Sequence, residues 1–566
     1  MKKLAVLLLL VFISSVLLAQ TARLLPKNVN HPGYNNVYPA VSGDGKVIIF
    51  MSDYSDDGSF VLRETRYYGG KWQDPTDLDV VGSSIVNNWG GYSINYDGTA
   101  IYFSSRRSEG IGKFDIWYTT LKDGQWARPK NVGKPVNSPE NEGNPSISPD
   151  NQRMYFMRCN SMSNSNMSGC KLYYSQRGVR GWQEAVELPA HINNGNTTSP
   201  RILPDNRTLV FTSDRPGGKG GLDIWMSKRT GDHWSEPVNI KPVNTSSDDY
   251  FLSASIRSVA FYTTTTDKGK KAIVEQRLSE PYKIEDVIVS QGSVKDDEGN
   301  TLAANVRAYN LKEKAYEVSM RTSIADGNFI IILPEGAEYD VSYSDVRLEK
   351  LYRSELVDAK ELVAPRRQYP NIILKNLVVG ITFPLNVFGF KPYTSEIDEF
   401  STQELNRLTK LLKRYPDLNI EIGTYQKTYT EDSLQSQDDL TELRRDNIIV
   451  YEPAIRADAM ENQQKDSLLI AINNELATIW DDTTVANVIL ERLAAVDSIQ
   501  VEQELITYHN DRSIAQAEAV KTYLTVEGIS ENRIQTMGYR DGMPPVPFLG
   551  NKDRMVVIKF LNNPTN

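Results

Sequence analysis

Residues 198–244 read TSPRILPDNRTLVFTSDRPGGKGGLDIWMSKRTGDHWSEPVNIKPVN, and the pattern of this stretch occurs four times in the chain. Each copy has an Asp-containing turn, an apolar run and a later tryptophan. The last copy of the turn is Asp205-Asn206, and the earlier ones are Gly43-Asp44-Gly45, Tyr96-Asp97-Gly98 and Pro149-Asp150-Asn151. The turns end at positions 45, 98, 151 and 206, which are 53, 53 and 55 residues apart. Self-similarity at a fixed period indicates a solenoid, a propeller or an array.

The composition of the repeat favours the propeller. Each copy consists of short runs of β-branched and aromatic residues between Asp-Gly, Asp-Asn or poly-Gly turns, a pattern typical of hairpins. No run is long enough for a helix, and runs such as Ile101-Tyr102-Phe103 are apolar on both faces. Such runs suit small sheets packed between neighbours around an axis. We expect a β-propeller over residues 22–285 with five blades, the alternative being six.

A degenerate fifth copy runs from Tyr250 to Glu275, and Leu25 to Pro39 looks like the tail of a repeat. We therefore expect the first and last blades to close on each other. The turns and the Asp-Ile-Trp segments (Asp115-Ile116-Trp117 and Asp223-Ile224-Trp225) resemble the WD40-like repeat of TolB-type periplasmic proteins. The late Gly-x-Trp, as in Gly124-Gln125-Trp126, is expected to place a large aromatic ring between adjacent blades.

The N-terminus and the charge balance restrict location and partners. Residues 1–20 combine Lys2-Lys3 with an apolar run and a small residue near the end, which predicts a secretory signal peptide rather than an uncleaved anchor. No cysteine follows, so we do not expect a lipoprotein, and no later run is long enough for a transmembrane segment. The formal charge of −9 argues against nucleic acid as a partner. We expect an exported protein of the periplasm, associated with the outer membrane.

Two small sets of residues suggest cross-linking or metal binding. Cys159 and Cys170, the only cysteines, are expected to form a disulfide in an oxidising compartment, the alternative being two free thiols. Asp53, Ser55, Asp57 and Glu64 match part of a calcium-loop spacing. Their register within the repeat instead favours an ordinary hairpin loop. We therefore predict no metal and no cofactor.

Residues 286–375 change to short alternating runs with turns such as Asp326-Gly327 and Pro334-Glu335-Gly336. This spacing predicts a small antiparallel β-sandwich. The order Gly-x-Val-x-Asp-x-x-Gly, Asp-Gly-x-Phe and Leu-Pro-x-Gly-x-x-Tyr resembles the carboxypeptidase regulatory-like domain, which is non-catalytic. The resemblance implies a spacer or docking module.

Residues 376–566 read as an α/β domain. A capping box at Ser401-x-x-Glu404 predicts the start of one helix, and residues 513–524 predict another. The order β-α-β-α-β-β resembles the OmpA-like peptidoglycan-binding domain, with His509 aligned to the helix start and Arg554 in family order. Between the two matching blocks, an acidic insertion of about residues 428–507 is predicted to be helical from its apolar spacing. Its apolar stripe packs on its own domain or, alternatively, binds a partner.

The residues that bind the peptidoglycan stem peptide in that family are replaced here. The resemblance implies an Asp after the second strand and an Arg in the later helix, which grip an ammonium and a carboxylate through charge-assisted contacts. This chain has Gln426 or Lys427 at the first position and Gln516 at the second. Arg512 and Asp511 could supply the missing charges, the alternative being an Arg-Asp pair that faces solvent at the helix start.

The sequence contains no catalytic motif of the nucleophile-elbow, zincin or phosphate-loop type. We therefore expect a non-catalytic envelope scaffold, with the propeller binding envelope or secretion-system proteins and the OmpA-like domain at the peptidoglycan. The domain order resembles the PorE-like periplasmic component of type IX secretion, without its helical-repeat segment. The alternative is a propeller that binds, or hydrolyses, a glycan or peptide.

Overall fold

The computed structural model describes residues 22–55, 58–78, 91–163, 166–178, 181–322, 324–362, 364–391, 394–426, 440–453, 470, 498–510, 512–548 and 554–564. The chain divides into two compact units, one ending at Asn376 and the other beginning at Leu377. The expected signal peptide lies outside the described residues. In the described part of the chain, no helix is both long and apolar enough to cross a membrane.

The described residues before the sandwich form five small antiparallel sheets. After β1 (Arg23–Leu24), the first contains β2 (Asn36–Val41), β3 (Val47–Ser52), β4 (Val61–Tyr68), β5 (Lys71–Trp72) and β6 (Thr76–Asp77). The second contains β7 (Tyr92–Ile94), β8 (Ala100–Ser105), β9 (Asp115–Lys122), β10 (Gln125–Trp126) and β11 (Lys130–Asn131). The third contains β12 (Asn141–Ile147), β13 (Arg153–Cys159), the hairpin β14 (Ser161–Ser163) and β15 (Asn166–Ser168) above it, β16 (Lys171–Gly178), β17 (Gly181–Trp182) and β18 (Val186–Glu187).

The fourth and fifth sheets complete this region. The fourth contains β19 (Thr197–Ile202), β20 (Thr208–Ser213), β21 (Asp223–Thr230), β22 (His233–Trp234) and β23 (Val238–Asn239). The fifth contains β24 (Ser253–Ala254), β25 (Val259–Thr265) and β26 (Lys271–Arg277). β1 pairs with β26 as the outer strand of the fifth sheet, so the start of the chain closes the last sheet. The inner strands β2, β7, β12, β19 and β24 surround one channel, the arrangement of a β-propeller.

The repeated Asp is explained by the turn between the two innermost strands in each of the first four sheets. Asp44 Oδ1 accepts a hydrogen bond from the backbone N–H of Lys46 at 3.0 Å, and Asp150 Oδ1 accepts one from that of Gln152 at 3.0 Å. The intervening residue has positive φ, which Gly and Asn adopt with least strain; examples are Gly45 at 75° and Asn206 at 62°.

The repeated tryptophans lie between sheets, as expected. The Trp72 ring contacts Phe261 of the fifth sheet with centroids 6.4 Å apart, and Trp234 contacts Tyr155 of the third at 6.1 Å. Each ring therefore buries apolar area against the preceding sheet.

Residues 287–374 form two face-to-face sheets, a β-sandwich. One contains β27 (Val287–Asp296), β30 (Asn328–Pro334), β33 (Arg366–Gln368) and β34 (Asn371–Leu374); the other contains β28 (Ala304–Asn310), β29 (Ala315–Arg321), β31 (Ala337–Asp345) and β32 (Arg353–Ala359). Alternate residues of β28 point into the shared core, as the period of a half-buried strand requires.

The described residues of the C-terminal unit form a four-stranded mixed sheet, two helices and a separate two-stranded ribbon. Its elements are β35 (Thr382–Pro384), α1 (Thr402–Arg414), β36 (Ile420–Gln426), β37 (Leu440–Pro453), β38 (Ser498–Asn510), α2 (Ser513–Val526), β39 (Ile534–Arg540) and β40 (Arg554–Phe560), with short 3-10 turns at Glu399–Ser401 and Glu531–Arg533. The sheet order is β35-β40-β36-β39, with β36 and β39 parallel.

Three local predictions in this unit are wrong. The insertion is not helical at 440–453 and 498–507, where β37 and β38 pair along their whole length, as β-branched runs such as Ile448-Ile449-Val450 favour. Residues 427–439, 454–469 and 471–497 lie outside the described residues, and with them most of the apolar stripe. His509 lies in β38 rather than at a helix start. The Ser401 hydroxyl does not cap α1: it accepts from the backbone N–H of Gly389 at 3.0 Å and donates to the carbonyl of Gly389 at 3.0 Å.

Candidate functional site

The centre of the propeller is the first candidate site, and it is nearly filled. The five inner strands place equivalent residues around the channel: Ala40, Ser93, Ser146, Arg201 and Ser253. Four of the five are small, whereas the fourth copy contributes an arginine. The cavity that remains has a volume of about 40 Å³. That space suits one or a few waters rather than a substrate.

Arg201 closes the channel through main-chain contacts. The guanidinium donates to the carbonyls of Tyr92 at 2.5 Å, Pro200 at 3.0 Å and Pro145 at 3.3 Å, and these carbonyls belong to three different sheets. Its burial lowers the pKa to about 10, so the side chain is still protonated at neutral pH. The guanidinium therefore ties neighbouring inner strands together.

One end of the channel is covered by the sandwich. Tyr96 and Ile256, from the second and fifth sheets, belong to one buried apolar cluster with Val287, Val289 and Ile332. This cluster joins the propeller and the sandwich within one compact unit.

An ion cluster crosses the same junction. Arg207, at the turn of the fourth sheet, pairs with Glu317 of β29 and lies 3.6 Å from Glu285. Burial alone would lower the pKa of Arg207, but the hydrogen bond and charge of Glu317 raise it overall. The pKa of Glu285 is raised by burial and by the nearby Asp205, against the opposing effect of Arg207.

Two wide clefts flank this junction, each of about 1300 Å³. The balanced cleft is lined by as many cations as anions: Arg177, Lys295, Arg321, Asp97, Asp150 and Asp326. The cationic cleft is lined by five cations and three anions: Arg23, Lys46, Lys71, Arg257, Arg367, Asp44, Asp74 and Glu275. The two clefts therefore match in size and differ in charge.

The repeated carboxylates of the propeller are engaged by the fold. Asp115 accepts from the backbone N–H of Gly112 at 3.0 Å and from Asn131 Nδ2 at 2.8 Å. In the fourth copy Asp223 accepts from Gly220 N–H at 3.2 Å and from Asn239 Nδ2 at 3.1 Å. Both carboxylates are 1% exposed. They organise the Gly-rich turns before β9 and β21, which is a structural role.

The predicted peptidoglycan site in the C-terminal unit is only partly described. Lys427 and Asp511 lie outside the described residues. Gln426 ends β36 opposite Arg554 of β40, and it is 1% exposed. Arg512 is completely buried directly before α2, so the interpretation of a solvent-facing Arg at this position is wrong. A helix-start residue faces inward here because α2 packs against β36 and β39.

Buried amides of this site lack hydrogen-bond partners among the described residues. Both side-chain polar atoms of Gln426 are unpaired there, as are the Gln516 Oε1 and the Thr424 hydroxyl. The Gln516 Nε2 donates to the carbonyl of Thr394 at 3.3 Å. Sequence reasoning missed Thr424, which lies two residues before Gln426 and so on the same strand face.

Close backbone approach brings α2 onto this end of the sheet. Gly538 of β39 is opposite Thr424, and a Cβ added to it would lie 2.5 Å from the Ser513 hydroxyl. A side chain at position 538 would therefore displace the start of α2.

The calcium-like set does not converge on a vacant site. Asp53 accepts hydrogen bonds from the backbone N–H of Asn35 at 2.6 Å and from its Nδ2 at 2.7 Å. Ser55 donates to the carbonyl of Ser59, and Glu64 pairs with Arg66 along β4. Asp57 lies outside the described residues. In the described part of the chain, no group of three or more His, Cys, Asp or Glu side chains could hold a metal ion.

Cys159 and Cys170 form a disulfide. Each is 1% exposed and packs in an apolar cluster with Met162 and Leu172. The disulfide closes the base of the β14–β15 hairpin, which sits above the third sheet.

Comparison with solved structures finds distant similarity to β-propeller proteins. A putative TolB from Agrobacterium tumefaciens is 15% identical over 53% of this chain and 90% of that chain, with a TM-score of 0.27. An oligogalacturonate lyase from Vibrio parahaemolyticus is 12% identical over 44% and 92%, with a TM-score of 0.26. The β-propeller domain of the Trilobed protease from Pyrococcus furiosus is 11% identical over 44% and 83%, with a TM-score of 0.25. No family model and no curated protein matches this chain.

Proposed function

We propose that this chain is a non-catalytic scaffold of the bacterial cell envelope. In this proposal each of the five sheets is one blade of a propeller that binds protein partners from the envelope or a secretion system. The sandwich is a spacer fixed to one propeller face, and the C-terminal unit is an OmpA-like domain positioned at the peptidoglycan. The protein is exported to the periplasm and associates with the outer membrane.

The closed channel is the observation that carries this proposal. Pockets for small molecules usually have volumes of about 300–1000 Å³. The propeller centre retains about 40 Å³ around Arg201, so it has no room for a sugar or a peptide. Catalysis in a central funnel would require the guanidinium to leave three carbonyl acceptors.

The use of the repeated carboxylates supports the same conclusion. A general acid or base needs an oxygen free to exchange a proton with substrate. Asp115 and Asp223 instead accept several hydrogen bonds from their own turns. The acidic residues of the two Asp-Ile-Trp segments therefore serve the fold.

A rigid junction suits a scaffold that holds partners at fixed positions. The apolar cluster around Tyr96 and Ile256 and the ion cluster at Arg207 bind the propeller to the sandwich. Relative domain motion is the usual expectation when an interface is small and polar. The interface between the propeller and the sandwich contains a buried apolar cluster and a buried arginine, and both oppose such motion.

The C-terminal part of the proposal rests on topology more than on ligand chemistry. The element order β35-α1-β36-α2-β39-β40 supports the OmpA-like resemblance. Gln426 and Gln516 stand where the family has an Asp and an Arg, so the usual ion pairs to a zwitterionic stem peptide are missing. We therefore expect weak binding to peptidoglycan.

Two experiments on the full-length mature chain test the scaffold. In the envelope of the producing cell, photo-crosslinkers placed in the propeller should give discrete protein adducts. The purified chain, incubated with envelope glycans and peptides, should leave them intact by mass spectrometry. Turnover of any of these substrates would overturn the proposal. The proposal would also be overturned if no propeller position gave a protein adduct.

A second candidate function keeps one observation in its favour. The balanced cleft is lined by amides, including Asn305, Asn328 and Gln291, which form no side-chain hydrogen bond with any described residue. Free amides in an open polar cleft suit a neutral glycan. Saturable binding of neutral oligosaccharides that is lost in Asn305→Leu would favour this alternative.

A further inference from the structure

The cationic cleft is an exception in an acidic protein. The chain carries a formal charge of −9, yet this cleft is lined by five cations and three anions. Two of the cations are already paired: Arg23 with Glu275, and Arg367 with the carbonyl of Asp44. Lys46, Lys71 and Arg257 are exposed and form no ion pair with any described carboxylate.

The three anions of the cleft offset only part of this charge, because five cations minus three anions leave a net charge of +2. The hydrogen bonds on Asp44 and Asp74 come from neutral donors and hold the two carboxylates in place. Asp44 accepts hydrogen bonds from the Ser42 hydroxyl at 2.7 Å and from a backbone N–H. Asp74 accepts from Asn28 Nδ2 at 3.1 Å. The positive charge therefore faces the solvent in the cleft.

Arg257 shows how the fold creates this charge. Four copies of the turn have an Asp at the equivalent position, and each accepts the backbone N–H two residues further on. The fifth copy has Arg257, whose guanidinium can only donate. The next residue, Ser258, nevertheless keeps the positive φ of the turn at 57°. The turn geometry persists while its carboxylate is replaced by an exposed cation.

The walls of the cleft also present aromatic surface beside the charges. Trp72 forms part of the lining, and Tyr67, which is 45% exposed, contacts it with ring centroids 5.3 Å apart. Tyr, Trp and Arg dominate the energetics of protein–protein interfaces. The volume of about 1310 Å³ exceeds the usual range for a small molecule.

From these observations we propose that the cationic cleft binds an acidic peptide segment of a partner protein. The proposal deepens the scaffold function and rests on it, since it names one docking surface and the chemistry of its partner. Carboxylates of the segment pair with Lys46, Lys71 and Arg257, and its backbone or apolar side chains lie against Tyr67 and Trp72.

The direct test measures fluorescence anisotropy of a labelled (Glu-Gly)5 peptide with the full-length mature protein at low and physiological salt. We expect saturable binding that weakens with salt, and no binding of (Gln-Gly)5. The triple variant K46E/K71E/R257E should weaken binding at least about tenfold. The matched control R177E/K295E/R321E reverses the same number of charges in the balanced cleft and should change binding less than about twofold.

A neutral variant and a competing acidic glycan complete the test. The neutral variant K46Q/K71Q/R257Q, checked by its melting temperature, should also lose binding while remaining folded. Absence of peptide binding overturns the proposal, as does an equal loss in both charge-reversal variants. Tighter binding of oligogalacturonate with the same variant pattern would instead assign the cleft to an acidic glycan and overturn the peptide proposal. If the cleft fails while propeller crosslinks persist, the scaffold function stands without this surface.

Discussion

The centre of the propeller and the end of the C-terminal sheet both bury polar side chains. The two regions differ in the hydrogen-bond partners that those side chains have among the described residues. Arg201 is buried with three carbonyl acceptors, one in its own sheet and two in other sheets. Gln426 is also buried, and neither of its amide atoms is paired among the described residues. The first arrangement locks a structure, whereas the second carries a desolvation cost of about 1–3 kcal/mol for each unpaired group.

This difference separates a structural element from a candidate ligand site. A buried polar group whose partners belong to the fold has no capacity left for a ligand. Unpaired polar atoms in a native structure call for an explanation, such as a bound molecule or a functional strain. The two regions therefore make opposite predictions for the same kind of substitution.

The largest effect is expected for Arg201→Met. The variant keeps the length of the side chain but leaves three buried carbonyls without their donor, so the free energy of unfolding should fall by about 3 kcal/mol. Urea unfolding followed by tryptophan fluorescence measures this loss, because seven of the eight tryptophans lie at or before Trp234. Ser146→Ala, in the same ring of residues, removes one acceptor of the Ile202 N–H and should cost about 1 kcal/mol. Equal stability of Arg201→Met and the native protein would remove the structural role of the guanidinium.

Replacement by methionine should have the opposite effect on the free energy of unfolding at Gln426. Gln426→Met removes two unpaired polar atoms and keeps the volume, so the C-terminal unit should gain about 1 kcal/mol. Gln516→Met should gain less, because it also removes the bond to the Thr394 carbonyl. Hydrogen exchange of the β36 amides in the whole chain measures both effects. Loss of protection in Gln426→Met would mean that its amide has a bound partner in solution.

The repeat made most of the propeller predictable from sequence. A 53-residue period with Asp-Gly and Asp-Asn turns indicates hairpins because those residues accept positive φ, and the tryptophan spacing correctly places rings between sheets. The sequence also contained the closure of the channel, because the inner-strand position of Arg201 is equivalent to those of three serines and Ala40 in the other copies. Only alignment of the inner strands, rather than of the motifs, would have shown it.

The C-terminal site was less predictable because burial there depends on tertiary packing. An arginine directly before a helix is usually solvated, yet Arg512 is covered where α2 packs on the sheet. The predicted helical insertion is wrong where it is described, because β-branched residues such as Val450 pair in a long ribbon there. The hydroxyl of Ser401 accepts from the backbone N–H of Gly389 rather than from the N–H groups at the start of α1. In each case a non-local contact overrode a local signal.

A smaller effect on stability should show whether burial or pairing with Arg207 has the larger influence on Glu285. The raised pKa of Glu285 in the folded state means that its contribution to stability is present at low pH and is lost as pH rises through the folded pKa. Glu285→Gln lacks this loss, so its melting temperature relative to the native protein should increase between pH 4 and pH 8. Glu361→Gln, at an exposed site, should show no such trend. A difference that falls with pH would mean that attraction to Arg207 exceeds the cost of burial.

The smallest effect is expected from calcium, and it extends the comparison to carboxylates. Asp53 already accepts two hydrogen bonds from Asn35, and Glu64 is paired with Arg66, so binding a cation would require both to exchange partners. Millimolar calcium should therefore raise the melting temperature by less than about 1 °C, because a ligand stabilises only in proportion to its binding to the folded state. If calcium raised the melting temperature by several degrees and Asp53→Asn abolished this rise, the loop would be a ligand site rather than a structural element like Arg201.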